Sequence, residues 1–192
     1  MSQKGLKPLL GKLQGDLRLK FEKLVGRAQK AYDALLSSKE PVRVVSHHDA
    51  DGLASAGLIC NLLHHLGIPF HVSIVPRLDE GVVERLKKEQ YSIYLFTDLG
   101  SGQLPLLEPL TRKGEETLVI ICDHHPPYPL EKQQNIILVN PEVLGISGSR
   151  DISSAGVVFT FTCVENEDML ENVTLAIVGA LGDLQDRERG RK

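Results

Sequence analysis

Val42-Arg43-Val44-Val45-Ser46-His47-His48-Asp49-Ala50-Asp51-Gly52 is the stretch on which the reading of this 192-residue chain turns. Its opening residues, β-branched except for one arginine, predict a short strand. The polar run after them leads straight into an apolar segment, 53–66, which Gly67 and Pro69 stop. A strand, a polar turn and an apolar helix in succession form the opening of a β-α unit.

The same alternation continues downstream. Residues 70–75 predict a second strand, 82–88 a short helix, 91–96 a third strand and 103–113 another helix. A fourth strand is expected at 118–122 and a fifth at 136–139, followed by helices at 154–164 and 170–181. Upstream, Leu17, Phe21, Leu24, Val25, Ala28, Tyr32 and Leu35 recur at helical spacing and predict an amphipathic helix over 17–37, ended by Ser37, Ser38 and Pro41. Several strands are apolar throughout, as strands covered on both sides are. The expected fold is therefore α/β: an open, mainly parallel five-stranded sheet with helices on both faces. Residues 1–40 read as a basic amphipathic helix packed on a domain that spans 41–186.

Composition narrows the function. With 42% hydrophobic and 24% charged residues the chain reads as a soluble globular protein. No apolar run approaches the roughly 20 residues that span a bilayer, and the start lacks a signal-peptide pattern, so a cytoplasmic protein with no membrane partner is expected. Cys60, Cys122 and Cys163 are dispersed in apolar segments and read as buried, reduced thiols. A net charge of -3 argues against a chain that holds nucleic acid by bulk positive charge. The charge is uneven: residues 1–30 carry +6 and the remainder -9. The basic segment reads as the solvated face of a surface helix, ahead of a phosphate-binding arm.

The unusual polar residues follow strands. His47, Asp49 and Asp51 come after the first, Asp98 after the third, and Asp123-His124-His125 after the fourth. Carboxyl ends of parallel strands share one edge, where ligands bind, so these clusters are expected to converge on one crevice. Single members have ordinary readings: Asp51 or Asp98 as a helix cap, His64-His65 as helix surface, His71 as a strand residue. The full set, however, would crowd acids together, and divalent cations neutralise such a set. Hard carboxylate oxygens with imidazole suit manganese or magnesium.

SHHDADG at 46–52, FTDLG at 96–100, CDHHPP at 122–127 and GALGDLQD at 179–186 resemble, in order and spacing, the four motifs of the DHH phosphoesterase superfamily. Within it the chain is most similar to archaeal RecJ-like nucleases of the GINS-associated type, a placement the stretch 150–156 supports. The resemblance implies a two-metal phosphodiesterase, foremost a single-strand-specific exonuclease on DNA, with RNA second, linked to replication or repair. Hydrolysis of short oligonucleotides, cyclic dinucleotides or pyrophosphate is the alternative, and a GINS-binding replisome module is a third reading. It implies two divalent ions, Mn2+ ahead of Mg2+. His47 and Asp49 would hold one ion, Asp51 and His124 the other, and Asp98 both. Asp183 would complete the second, with Asp186 the competing choice. His125 would contact the scissile phosphate and Asp123 would orient a histidine. Gly52, and Ser153, Ser154 and Gly156 at a helix start, are candidate phosphate contacts, with a plain cap as the equal alternative for the serines. The family also implies a C-terminal substrate-binding domain with a glycine-rich segment, and residues 187–192 read as a truncated linker to it.

Overall fold

The computed structural model describes residues 6, 10–37, 40–89, 91–111, 117–129 and 135–186; the expected linker at 187–192 lies outside them. Five strands, β1 (Val42–His47), β2 (Phe70–Val75), β3 (Ile93–Thr97), β4 (Leu118–Cys122) and β5 (Ile136–Val139), form one sheet in the order β2-β1-β3-β4-β5. Every pairing in it is parallel. Six helices accompany them among the described residues: α1 (Gly15–Ser37), α2 (Ala50–His65), α3 (Glu80–Glu89), α4 (Leu104–Leu107), α5 (Ser154–Cys163) and α6 (Val173–Gly182).

Side-chain alternation along each strand divides the interior into two cores. Val42, Val44, Leu95, Ile120 and Val139 pack with Leu24, Leu35, Leu58, Leu62, Val157 and Phe161 from α1, α2 and α5. Val45, Tyr94, Phe96, Val119 and Ile121 pack on the opposite face with Val83, Leu86, Leu104 and Leu107 from α3 and α4. Arg43 breaks the apolar pattern and is nevertheless buried. Its guanidinium forks onto the Glu89 carboxylate and also donates to Ser73 Oγ at 2.9 Å and to the Val44 carbonyl at 3.0 Å. The planar fork meets its partners from α3 and β2 at once, which makes the burial tolerable.

The expected helix over 103–113 is shorter and irregular: a 3-10 turn, Ser101–Gln103, leads into the single turn of α4 and a second 3-10 turn, Glu108–Leu110. Pro105 and Pro109 explain the interruption, since neither offers an amide to a continuous helix. Residues 112 and 113 lie outside the described set. The helix expected at 170–181 is likewise split into a 3-10 stretch, Glu167–Asn172, and α6. Of the thiols, Cys122 and Cys163 are buried as expected, whereas Cys60 is partly exposed; all three are free.

Two features of the fold shape the ligand edge. The chain leaves β1 toward β2 and then crosses to β3 on the other side of β1. The connections thus diverge between β1 and β3, where an open α/β sheet forms a crevice at its carboxyl edge. Second, α6 lies tightly on α2 and α5 through small residues. A Cβ on Gly179 would fall 2.4 Å from Ala155 Cβ and 2.5 Å from Asp51 Oδ1, and one on Gly182 would fall 2.5 Å from Ala50 Cβ. Gly179→Ala should cost about 1–3 kcal/mol through overpacking. Gly26→Ala, in α1 with nothing within 4 Å of the new methyl, should stabilise by about 0.5–1 kcal/mol. Urea denaturation of the two variants against the parent checks both signs.

Candidate metal centre

The three polar clusters meet at the carboxyl edge. His47 closes β1, Asp98 follows β3, and Asp123, His124 and His125 follow β4. Asp49 and Asp51 open α2, while Asp183 terminates α6. Among the described residues, three overlapping groups place ligand-capable atoms within 4.8 Å of one another. They are His47, Asp49 and Asp98; Asp51, His124 and Asp183; and Asp98, His124 and His125.

Asp98 is common to two of these groups. Its backbone has φ 59°, a left-handed conformation that aspartate tolerates better than most residues, and its side chain is turned into the crevice. It is 2% exposed, and neither carboxylate oxygen has a hydrogen-bond partner. Burial, reinforced by the nearby Asp51 and Asp49 charges, pushes its pKa up to about 9. His47 Nδ1 lies 3.5 Å from Asp98 Oδ2 and 2.9 Å from Asp49 Oδ2. His47 Nε2 faces the Pro76 carbonyl at 3.1 Å; a carbonyl can only accept, so Nε2 donates there and Nδ1 is the ring nitrogen turned to the two carboxylates. Burial works against ionisation of Asp49, but the Gly52 amide, Asp98 and His47 outweigh it and hold that carboxyl below its ordinary range.

The other side is built by helix termini. Asp51, 2% exposed, accepts the Ser154 amide on Oδ2 at 2.8 Å and the Ala155 amide on Oδ1 at 2.9 Å. Burial still raises its pKa above the usual carboxylate value. His124 donates from Nδ1 to the Gly148 carbonyl at 2.8 Å, which leaves the Nε2 lone pair 3.6 Å from Asp98 Oδ1 and 4.0 Å from Asp51 Oδ2. Gly148 must be glycine for this approach, because a Cβ there would sit 1.9 Å from the His124 carbonyl oxygen. Gln185 Nε2 donates to the same Gly148 carbonyl at 2.7 Å and to Asp183 Oδ2 at 3.3 Å. Of the two late aspartates, Asp183 lies 3.7 Å from His124 Nδ1 and joins the cluster, whereas Asp186 is exposed and joins none of the three groups.

His125 stands at the rim with 52% of its side chain exposed. Its Nδ1 donates to Asp123 Oδ1 at 2.7 Å, and that bond raises the imidazole pKa while leaving Nε2 available to a ligand. Asp123 is fully buried. Desolvation opposes its charge, yet the bonds from His125 and from the Ser101 amide at 2.9 Å keep its carboxyl below the ordinary value. Asn140 donates to the His125 carbonyl at 2.9 Å and to Ser101 Oγ at 2.8 Å, locking both. Pro76, Ser101, Asn140, Gly148 and Gln185 thus support the centre, and none carries a charge or a spacing that would single it out in the sequence.

Four expected phosphate contacts have structural partners here. Gly52 donates to Asp49 Oδ1 at 2.9 Å and lies so near His47 that a Cβ would be 2.4 Å from its carbonyl oxygen. Ser153 caps α5 by accepting the Gly156 amide at 3.3 Å. Ser154 Oγ accepts the His124 amide at 3.2 Å and donates to Asp123 Oδ1 at 3.4 Å. Ser153 makes the cap, Ser154 ties His124 to Asp123, and the first two amides of α5 are held by Asp51. His64 and His65 are exposed on a helix surface, as the sequence suggested, and His71 is an exposed residue of β2. A buried carboxylate without donors, Asp98, beside further acids and imidazoles and free of thiolates, fits hard divalent cations in both chemistry and charge.

Comparison with known proteins agrees with this arrangement. An uncharacterized protein of Methanocaldococcus jannaschii is 36% identical over 149 residues, covering 75% of this chain and 33% of that protein. The single-stranded-DNA-specific exonuclease RecJ of Thermus thermophilus is 32% identical over 162 residues, 79% of this chain and 23% of RecJ. The chain therefore spans a third or less of the length of these relatives. The crystal structure of that RecJ in complex with Mn2+ superposes with a TM-score of 0.65 and 26% identity over 83% of this chain and 24% of RecJ. CDC45 from Entamoeba histolytica shares the fold alone, at a TM-score of 0.51 and 18% identity over 84% of this chain and 31% of CDC45. Residues 41–181 match the model of the DHH family N-terminal domain, and the chain belongs to the DHH family.

Proposed function

We propose that this chain is a two-metal phosphodiesterase that shortens single-stranded nucleic acid from an end, DNA first and RNA second, with Mn2+ the favoured ion. The observation that carries the reading is the unpaired, buried Asp98 carboxylate set between two ligand groups. Family membership supports a phosphoesterase, and the likeness to a single-stranded-DNA-specific exonuclease supports the substrate class.

His47, Asp49 and Asp98 would hold one ion, and Asp51, His124 and Asp183 the other, with Asp98 shared. Two such ions would supply positive charge that makes a water more acidic and offsets charge on the reacting phosphate. The chain's own groups do the rest. His124, held through Nδ1 by Gly148, and His47, held through Nε2 by Pro76, turn their other ring nitrogens inward. His125, charged more readily because of Asp123, presents Nε2 to a phosphate oxygen and can pass a proton to the leaving group. Binding to GINS rests on the sequence resemblance alone and on no feature of the site.

Four results test this reading. In EDTA, Asp98→Asn should melt higher than the parent by the equivalent of about 1–3 kcal/mol, because an unpaired buried carboxyl is removed. With Mn2+ at about a hundredfold over its Kd the parent should gain nearly 3 kcal/mol and the variant far less; no gain by the parent defeats the metal assignment. His125→Ala should retain the Mn2+ shift while kcat falls about a hundredfold or more. A long single strand, a dinucleotide, a cyclic dinucleotide and pyrophosphate should be compared directly, and the long strand should be cleaved best; preference for the small substrates supports the alternative substrate class.

A further inference from the structure

Outside the metal centre, basic charge gathers on α1. Lys20, Lys23, Arg27 and Lys30 follow one another at intervals of three, four and three residues, which aligns them along one flank of the helix. The apolar stripe, Leu24, Ala28, Ala31 and Leu35, is buried beside them. At 1.5 Å per residue the basic row is about 15 Å long. Lys23, Arg27 and Lys30 are exposed, and Lys20 is half-buried.

The row has a defined direction. Its first member lies against the loop at the ligand edge: a Cβ on Gly145 would sit 3.5 Å from Lys20 Cε and Nζ. Three residues further along that loop, Gly148 accepts the His124 Nδ1 proton. Arg27 then donates to the Leu138 carbonyl on edge strand β5 at 3.2 Å. Beyond the row, Tyr32 is hydrogen-bonded to Asn166, past the far end of α5. The stripe therefore begins at the loop that leads to Gly148 and descends along β5 toward the opposite edge of the sheet. Its acidic neighbour Asp16 pairs with Lys20 at 2.7 Å, but with 76% of the Asp16 side chain exposed that pair is readily exchanged for a phosphate. Against a remainder of the chain that carries -9, this is where a polyanion would lie.

We propose that Lys20, Lys23, Arg27 and Lys30 form a backbone track for the single strand whose end occupies the metal centre. The track deepens the nuclease reading and rests on it. It reads phosphates without regard to base, as point charges on flexible stems do, and it favours long strands over short ones because a dinucleotide cannot reach it. Arg27 also covers the edge of β5, so the lysines are the positions to alter.

The test is the triple reversal Lys20→Glu, Lys23→Glu, Lys30→Glu, with the triple Lys→Gln as a milder companion in case reversal disturbs folding. Binding of fluorescein-labelled dT30 is measured by anisotropy in EDTA across a salt series, and hydrolysis of pdTdT is measured with Mn2+. Kd for dT30 should rise at least about tenfold, and the slope of log Kd on log salt should fall by about 2. Hydrolysis of pdTdT should stay at the parent rate. Equal Kd and slope for parent and variants, or a parent that binds anionic vesicles and no dT30, would overturn the track and leave the basic row as solvation of an edge strand. If the parent hydrolyses no phosphodiester, the nuclease reading fails by itself, and the binding arm still decides whether the row holds a single strand.

Discussion

A carboxylate buried with no donor on either oxygen is an expensive feature, and Asp98 is one. It cannot be dismissed as a surface acid, for it sits at the divergence of two parallel strands with Asp49 and Asp51 close enough to raise its pKa. The ring nitrogens that His47 and His124 turn toward it stand 3.5 and 3.6 Å away, too far for a good hydrogen bond, because Pro76 and Gly148 hold the other nitrogen of each ring. A divalent cation set among these groups would satisfy all of them at once. Much of the surrounding architecture keeps these groups from moving apart and repelling less.

That restraint comes from backbone contacts that only small residues permit. Asp51 is held by the first amides of α5, and α6 presses on it through Gly179. Gly52 lets α2 start against His47, and Gly148 lets its loop reach His124. The protein thus converges acids by locking four segments together with glycine contacts and helix amides, so that metal binding and tertiary packing share the same atoms.

The fold and the convergence of the candidate residues were legible because both leave periodic marks in the sequence. Apolar strands alternating with helices specify a parallel sheet, and acids or histidines placed just after strands must then share an edge. The legible part stopped where the information is conformational. Gly148 and Gln185 look like any loop residues until their approach to His124 and Asp183 is seen, and Asn140 gives no hint that it locks the His125 carbonyl. Pro105 and Pro109 break the helix expected over 103–113, because neither offers an amide to a continuous helix. Ser153 and Ser154 show the reverse: a motif compatible with an anion site turned out to have its amides taken by the chain's own carboxylate.

The central claim is that Asp98 joins two metal positions. The measurement that bears on it most directly is anomalous diffraction at the manganese edge from crystals of this chain soaked in Mn2+. The account predicts two peaks, one among His47, Asp49 and Asp98 and one among Asp51, His124 and Asp183, both lost in Asp98→Ala. A single peak that does not touch Asp98, or none at saturating Mn2+, would contradict it.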